Sequence, residues 1–298
     1  MRRKIIFLLN PIAGGKSKSR IRQTIEAWAA GSDLDFEIQV TNAEGDYGLL
    51  RTRIVAERIT DIVIVGGDGT INSVVEALRN TGVCFGIIPT GSGNGLAFAA
   101  GIPKNIRKAL ELILNGKPTA TDAFIINEKF SCMLSGIGFD AQVAHDFARQ
   151  KRRGLATYVK QTSQNFLRAK PYRFEIFSGQ FSVKTDAYFV SVANSNQFGN
   201  HFTIAPKASL NDGLLDIVIV PKMSKIRMLF SILRHIRSGN VEQLQHRDRR
   251  IVYFQTSRLS IKNPDSAPLH IDGDPKHSSP SFDIAIIQDA FRLIRPQE

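Results

Sequence analysis

Three segments hold residue types whose spacing could do chemistry, and all three point to phosphate. The first, Gly66-Gly67-Asp68-Gly69-Thr70-Ile71-Asn72, follows the apolar run at 61–65 and precedes a helical pattern. A glycine turn at the carboxyl end of a parallel strand exposes backbone N–H groups beside a helix N-terminus, and that arrangement binds phosphate. Asp68 repels phosphate by charge, so it suits a Mg2+ ion, held directly or through water, or a role in orienting the loop. Glycines followed by Asp also make ordinary turns; the strand–loop–helix context favours the phosphate reading. The second segment, Pro89-Thr90-Gly91-Ser92-Gly93-Asn94-Gly95, follows the run at 83–88. It is not the dinucleotide fingerprint, because Leu96 stands where a third glycine is required. The third, Asn10-Pro11-Ile12-Ala13-Gly14-Gly15-Lys16-Ser17, departs from a P-loop at Asn10, where glycine is needed. P-loop chemistry is excluded and the loop is kept as nucleotide-proximal. Lys16, Lys18, Arg20 and Arg22 could meet phosphates or form a solvated face.

The elements that must position these loops alternate along the first third of the chain. Strand patterns at 4–9, 36–41, 61–65 and 83–88 are interleaved with helical patterns at 20–30, 47–57, 71–79, 96–100 and 105–115. Continuous apolar strands separated by helices predict a mostly parallel sheet covered on both faces. In such a sheet the three loops gather at the carboxyl ends of the strands. After about residue 122 the texture changes to short strand-like runs at 123–126, 130–136, 173–177, 181–185, 188–193, 215–220, 251–255, 259–262 and 269–272. Many short strands punctuated by Gly, Pro and Asn predict a β-sandwich or barrel. Helices are expected at 141–150, 155–167 and 225–238. The expected organisation is a Rossmann-like nucleotide domain at 1–122, rejoined by the closing segment 284–298, and a β-sandwich at 123–283.

Composition bounds the reading further. The 298 residues suffice for two domains, and 43% hydrophobic with 22% charged content describes an ordinary globular chain. Cys84 and Cys132 form no C-x-x-C or Cys/His cluster, which argues against a disulfide framework and a zinc site. The apolar run after the basic start breaks at Asn10-Pro11, so it reads as a first strand rather than a signal peptide. No run reaches the roughly 18 apolar residues of a membrane span, and a cytoplasmic location is expected. The net charge of +12 favours anionic partners or is simply a solvated surface.

In their order along the chain, these motifs resemble the catalytic domain of diacylglycerol kinases and sphingosine kinases. The resemblance is carried by Asn10-Pro11-Ile12-Ala13-Gly14, by Gly66 to Asn72, and by Pro89-Thr90-Gly91-Ser92-Gly93-Asn94. It continues through Ser135-Gly136-Ile137-Gly138-Phe139-Asp140-Ala141, Asn211-Asp212-Gly213-Leu214-Leu215-Asp216 and Ile271-Asp272-Gly273-Asp274. Bacterial members of the family are lone lipid kinases of about this size. The resemblance implies a nucleotide domain beside a β-sandwich with the active site between them. It implies ATP contacts from Asn10, Pro11, Ile12, Ala13, Gly14, Thr41, Gly66, Gly67, Asp68, Gly69, Thr70, Ile71, Asn72 and Ser92. A structural Mg2+ would be held by the Asp212 carboxylate with carbonyls near Ser209 and Leu214. The family's D-G-E motif stands here as Asp272-Gly273-Asp274, which offers Asp272 as the base, with Asp274 in the glutamate position. Gly95 also departs from the N-D-F-A wording usual in bacterial diacylglycerol kinases and is nearer the sphingosine kinase side.

A lipid substrate requires contact with an anionic membrane surface. At 224–238, Ile226, Leu229, Phe230, Leu233 and Ile236 form an apolar stripe among basic residues, the pattern of an interfacial helix and equally of a helix packed on its own domain. The run Arg149-Gln150-Lys151-Arg152-Arg153 could attract anionic lipid or be solvated. The scattered histidines show no metal spacing, and packing or surface roles are expected. Competing readings are a sphingoid-base or other lipid-alcohol kinase, an NAD kinase, which shares Gly66–Thr70, and a non-catalytic basic binding protein. No nucleic acid partner is expected, and a homodimer, common among bacterial members, stays open.

Overall fold

The computed structural model describes residues 3–12, 18–31, 34–42, 44–150, 161–162, 164–166, 168–179, 181–199, 202–227 and 251–297. The chain divides into two compact units, Met1–Thr121 with Asp289–Glu298, and Asp122–Gln288.

The first unit runs β1 (Lys4–Leu9), α1 (Lys18–Ala29), β2 (Asp35–Val40), α2 (Gly48–Ala56), β3 (Asp61–Gly66), α3 (Asp68–Leu78), a 3-10 turn at Arg79–Thr81, β4 (Cys84–Pro89), α4 (Gly95–Ala99) and α5 (Ile106–Asn115). β1 pairs in parallel with β2 and β3, and β3 with β4, giving the order β2-β1-β3-β4. Both faces of β1 are buried, which is why its sequence is apolar without alternation. Ile5, Phe7 and Leu9 pack with Ile21 and Ile25 of α1 and with Leu110 and Ile113 of α5. Asn105 caps α5, its side chain accepting from the amides of Arg107 and Lys108.

The second unit contains β5 (Lys117–Ile126), β6 (Lys129–Ser131), β7 (Leu134–Gly138), α6 (Phe139–Ala148), β8 (Tyr172–Ser178), β9 (Phe181–Ala193), β10 (Gln197–Gly199), β11 (Phe202–Thr203), β12 (Leu215–Pro221), β13 (Val252–Thr256), β14 (Arg258–Lys262), β15 (Leu269–Ile271), β16 (Asp274–Lys276) and β17 (Ser281–Arg295). Its core is built from alternate residues of many strands, among them Ile137, Phe174, Val190, Val192, Ile217, Leu259, Leu269, Ile271 and Phe282. β5 begins in the first unit. β17 pairs with β14 over its first residues and with β4, in parallel, at Arg292 and Leu293.

Three strand expectations change. The runs at 181–185 and 188–193 are one strand, β9, which pairs β8 over its first half and β7 and β12 over its second. The strand expected at 123–126 starts earlier, at Lys117. The run at 130–136 splits around Cys132-Met133, because those amides turn to a carboxylate instead of a neighbouring strand. Most of the helices expected at 155–167 and 225–238 lies outside the described residues. Ser224 does accept from the Arg227 amide as an N-cap, at 3.4 Å. Among the described residues no helix is long and apolar enough to cross a membrane.

Candidate functional site

Register decides where the loops of the first unit meet. Leu9 pairs with Val40 and Val65, and Val65 with Ile88, so the carboxyl ends of four parallel strands are level. The ladder extends one residue into each loop. The Asn10 amide donates to Val65 O (3.0 Å), Thr41 to Leu9 O (3.1 Å) and Thr90 to Gly66 O (2.9 Å). Asn10, Pro11, Ile12, Thr41, Gly66 to Thr70 and Ser92 therefore border one edge, as expected. Ala13 and Gly14 lie outside the described residues.

Side chains and bare backbone lock these loops together. A Cβ on Gly91 would stand 2.5 Å from the Gly67 Cα, and one on Gly67 would stand 2.9 Å from the Gly91 Cα. These two glycines are needed because the loops touch backbone to backbone. Asn94, left-handed at φ 55°, closes the second loop by accepting from the Gly91 amide (2.8 Å) and donating to its carbonyl (2.9 Å). Asp68, in the first turn of α3, accepts from the Leu96 amide at 3.3 Å and so links the loops, the orienting role the sequence allowed. Asn10 donates to the Thr70 hydroxyl (2.6 Å) and accepts from the Ile12 amide (2.8 Å). The start of α3 offers amides without intrahelical partners and the positive end of a dipole, a fit for the phosphates of ATP. The Thr90 hydroxyl oxygen at this edge is buried and without a partner among the described residues. Ile71 points away from this edge. Its side chain is buried in the core and its amide donates to Gly67 O (3.0 Å). Asn72 lies one position further into α3, half-buried.

In the second unit, Asp272-Gly273 is the two-residue loop of a hairpin in which Ile271 pairs with Asp274. Both loop residues have positive φ, 49° and 84°, the signature of a type I′ turn. The Asp272 side chain points inward and is 4% exposed. Its Oδ1 accepts from the Ser131 hydroxyl (2.7 Å) and the amides of Leu134 (2.9 Å) and Met133 (3.1 Å); Oδ2 accepts from the Cys132 amide (3.1 Å). Burial pushes this carboxyl above its ordinary value, while the Ser131 hydroxyl and the three amides act to lower it. Asp274, two residues on, is exposed. The carboxylate the resemblance offered first as base is thus occupied in holding the 131–134 segment, and the one in the glutamate position is open.

The turn at Ser209, Asp212 and Leu214 presents hard oxygen donors of the kind Mg2+ prefers. Asp212 is exposed, and its Oδ1 accepts from the Leu214 amide at 3.1 Å. Ser209 donates to Asn211 Oδ1 (3.0 Å). Buried Asp122 accepts from the Gly213 amide (2.8 Å) and ties the turn to β5. Asp216, buried behind it against Tyr253, is pushed up to about 6 by burial. The donor set fits a divalent cation bound through one carboxylate and backbone carbonyls. Among the described residues no three His, Cys, Asp or Glu side chains group as metal ligands.

Sequence reasoning missed several polar residues beneath these turns. Asn194 donates to the carbonyls of Asp122 (2.8 Å) and Cys132 (3.3 Å), bracing both turns. His270 was expected to be an ordinary packing or surface histidine; it is buried beside Asp140. The available signal was a lone polar residue between two core residues, Leu269 and Ile271, in a short strand.

Comparison with known proteins identifies the family of both units. Residues 4–126 match the family described as Diacylglycerol kinase catalytic domain. Residues 134–295, over half of the chain, match the YegS C-terminal NAD kinase beta sandwich-like domain. The protein named Probable lipid kinase YegS-like of Klebsiella pneumoniae (strain 342) is 28% identical over 290 residues, covering 95% of this chain and 94% of that protein. Its namesake in Stenotrophomonas maltophilia (strain K279a) is 27% identical, with 96% and 95% covered. A crystal structure of a diacylglycerol kinase from Bacillus anthracis str. Sterne superposes with a TM-score of 0.76 over 98% of this chain and 97% of that one, at 23% identity, and shows the shared fold. With both domains matched in order and at nearly full length, this chain is a kinase belonging to the YegS-like branch of the diacylglycerol kinase family.

Proposed function

We propose that the protein transfers the γ-phosphoryl group of ATP to a hydroxyl of a diacylglycerol-like membrane lipid, giving a phospholipid such as phosphatidic acid. The observation that carries the reading is the exposed Asp274, presented by a turn whose other carboxylate is hydrogen-bonded inward. Asp274 accepts the proton of the lipid hydroxyl as its oxygen attacks the γ-phosphorus and the bond to ADP breaks. Phosphoryl transfer needs mainly positioning and charge stabilisation. The start of α3 and the loops at Asn10 and Ser92 hold the triphosphate, with Asp68 keeping the loops in register. Mg2+ at the Asp212 turn would supply structural charge neutralisation. The curated relatives named as lipid kinases support the lipid acceptor, and the net charge of +12 suits peripheral attachment to the anionic inner face of the cytoplasmic membrane. The reading includes no nucleic acid partner and leaves room for a homodimer.

The test is incubation of the pure protein with labelled ATP and Mg2+ against mixed micelles of diacylglycerol, monoacylglycerol, phosphatidylglycerol, sphingosine and undecaprenol. Labelled lipid from diacylglycerol supports the reading. Label only in sphingosine or undecaprenol moves the acceptor class, and no labelled lipid at all sinks it. Because the second unit matches a domain described as NAD kinase beta sandwich-like, NAD belongs in the panel, and NADP formation in place of lipid product would replace the reading.

A further inference from the structure

His270 lies on β15 between Leu269 and Ile271, whose side chains enter the sandwich core. Strand alternation turns the imidazole to the opposite face, where α6 packs over β7, β15 and β16. The ring is 1% exposed, and the Asp140 carboxylate, from the first turn of α6, is 8% exposed. Asp140 Oδ2 stands 3.5 Å from Nε2, a charge contact outside hydrogen-bond geometry. The pair fits only because β7 has no side chain at Gly136, the register partner of His270. A Cβ there would lie 1.8 Å from Asp140 Oδ2 and 2.6 Å from His270 Nε2.

The other ring nitrogen reaches the catalytic turn. Nδ1 accepts from the Gly273 amide at 3.2 Å. A backbone N–H can only donate, so Nδ1 carries no hydrogen and the neutral ring carries its proton on Nε2, toward Asp140. The hydrogen-bond partners, not the ring shape, make this assignment. The Asp272-Gly273 loop is thereby held from two sides. The 131–134 segment grips the Asp272 side chain, and His270 grips the Gly273 backbone. Asp274 is the next residue.

We propose that Asp140 and His270 are positioning residues of the phosphoryl-transfer turn: the nearby Asp140 carboxylate favours the Nε2–H form of His270 by its charge, and the bare Nδ1 anchors the Gly273 amide, so that Asp274 is presented to the acceptor hydroxyl in one orientation. The proposal rests on the reading of Asp274 as the base. A ring with hydrogen on Nδ1 can no longer accept from Gly273 and releases the turn.

The experiment has two arms, both on the full chain. In the first, the acceptor is whichever lipid of the panel is turned over best. H270L should lower kcat by roughly 10- to 100-fold, the usual loss when an orienting partner is removed. Its KM for ATP should stay within about twofold, because an interaction made only in the transition state is lost. H270N, whose Oδ1 can take the place of Nδ1, should restore most of the loss. A loss in D274N with none in H270L overturns the proposal alone, whereas unchanged turnover in D274N overturns it together with the base assignment. In the second arm, nitrogen-15 spectra of histidine-labelled wild-type protein read the ring directly, with no need for turnover. A neutral Nε2–H ring that loses this preference in D140N supports the proposal. A wild-type ring protonated at neutral pH, or carrying hydrogen on Nδ1, overturns it even if every His270 variant fails to fold.

Discussion

Replacing each carboxylate of the Asp272-Gly273-Asp274 turn by its amide separates a base from a brace. In D274N the changed group is exposed, so stability should move by no more than about 0.5 kcal/mol. Loss of a general base lowers kcat by about 10²–10⁴-fold, which corresponds to roughly 3–5 kcal/mol at the transition state. In D272N the best orientation keeps Oδ1 on Ser131, Met133 and Leu134 and turns an NH2 group onto the Cys132 amide, donor against donor. An unsatisfied buried donor costs about 1–3 kcal/mol. At roughly 2–4 °C per kcal/mol for a unit of this size, the melting temperature should fall by about 2–12 °C. Turnover measured well below that temperature should stay within roughly tenfold of wild type, because the Ser131, Met133 and Leu134 contacts still hold the turn and the Asp274 carboxylate is unchanged. The assay pairs thermal unfolding with labelled phosphate transfer to the best lipid acceptor. The reasoning is refuted if D272N unfolds like wild type yet loses all transfer, or if D274N keeps turnover within about threefold.

Three further outcomes are expected. Gly91→Ala places a methyl group 2.5 Å from the Gly67 Cα, so it should destabilise the first unit by about 1–3 kcal/mol and weaken ATP binding at least tenfold, read as loss of the ATP-induced rise in melting temperature; undiminished protection would show that the loops do not need this contact. Asp212→Ala should abolish stabilisation by millimolar MgCl2; if Mg2+ fails to stabilise the wild type, the turn at 209–214 holds no ion. Hydrogen bonds from Arg53 and Lys4 hold Glu57 down at about 2, below its ordinary 4.5, so its contribution is full above 4.5 and is lost as pH falls toward 2. Glu57→Gln should therefore lower stability at pH 7 and not at pH 2, with the difference shrinking in salt, and equal stability at pH 7 would count against it.

Much of this protein was legible in its amino-acid sequence, for reasons local to the chain. The runs at 4–9, 61–65 and 83–88 are apolar without alternation, which only a sheet buried on both faces requires. Glycine, Asn and Asp at their ends announce turns, and a parallel sheet sends those turns to one edge. The order of the motifs was enough to indicate the kinase family and its two domains. Tertiary structure decided what each polar residue does. Local pattern could not rank Asp272 against Asp274, because the donors that capture Asp272 come from 138–141 residues away in the chain. Nor could it say that the Ile71 side chain enters the core, since one helical residue of rotation separates the buried face from the loop edge. Asp140 lies in the 135–141 motif and His270 just ahead of the 271–274 motif, and they meet only across Gly136, where β15 pairs with β7 and α6 folds over both. Turn chemistry and periodicity are properties of neighbours along the chain. The choice of which carboxylate faces water is made by partners that only the folded sandwich brings within hydrogen-bonding distance.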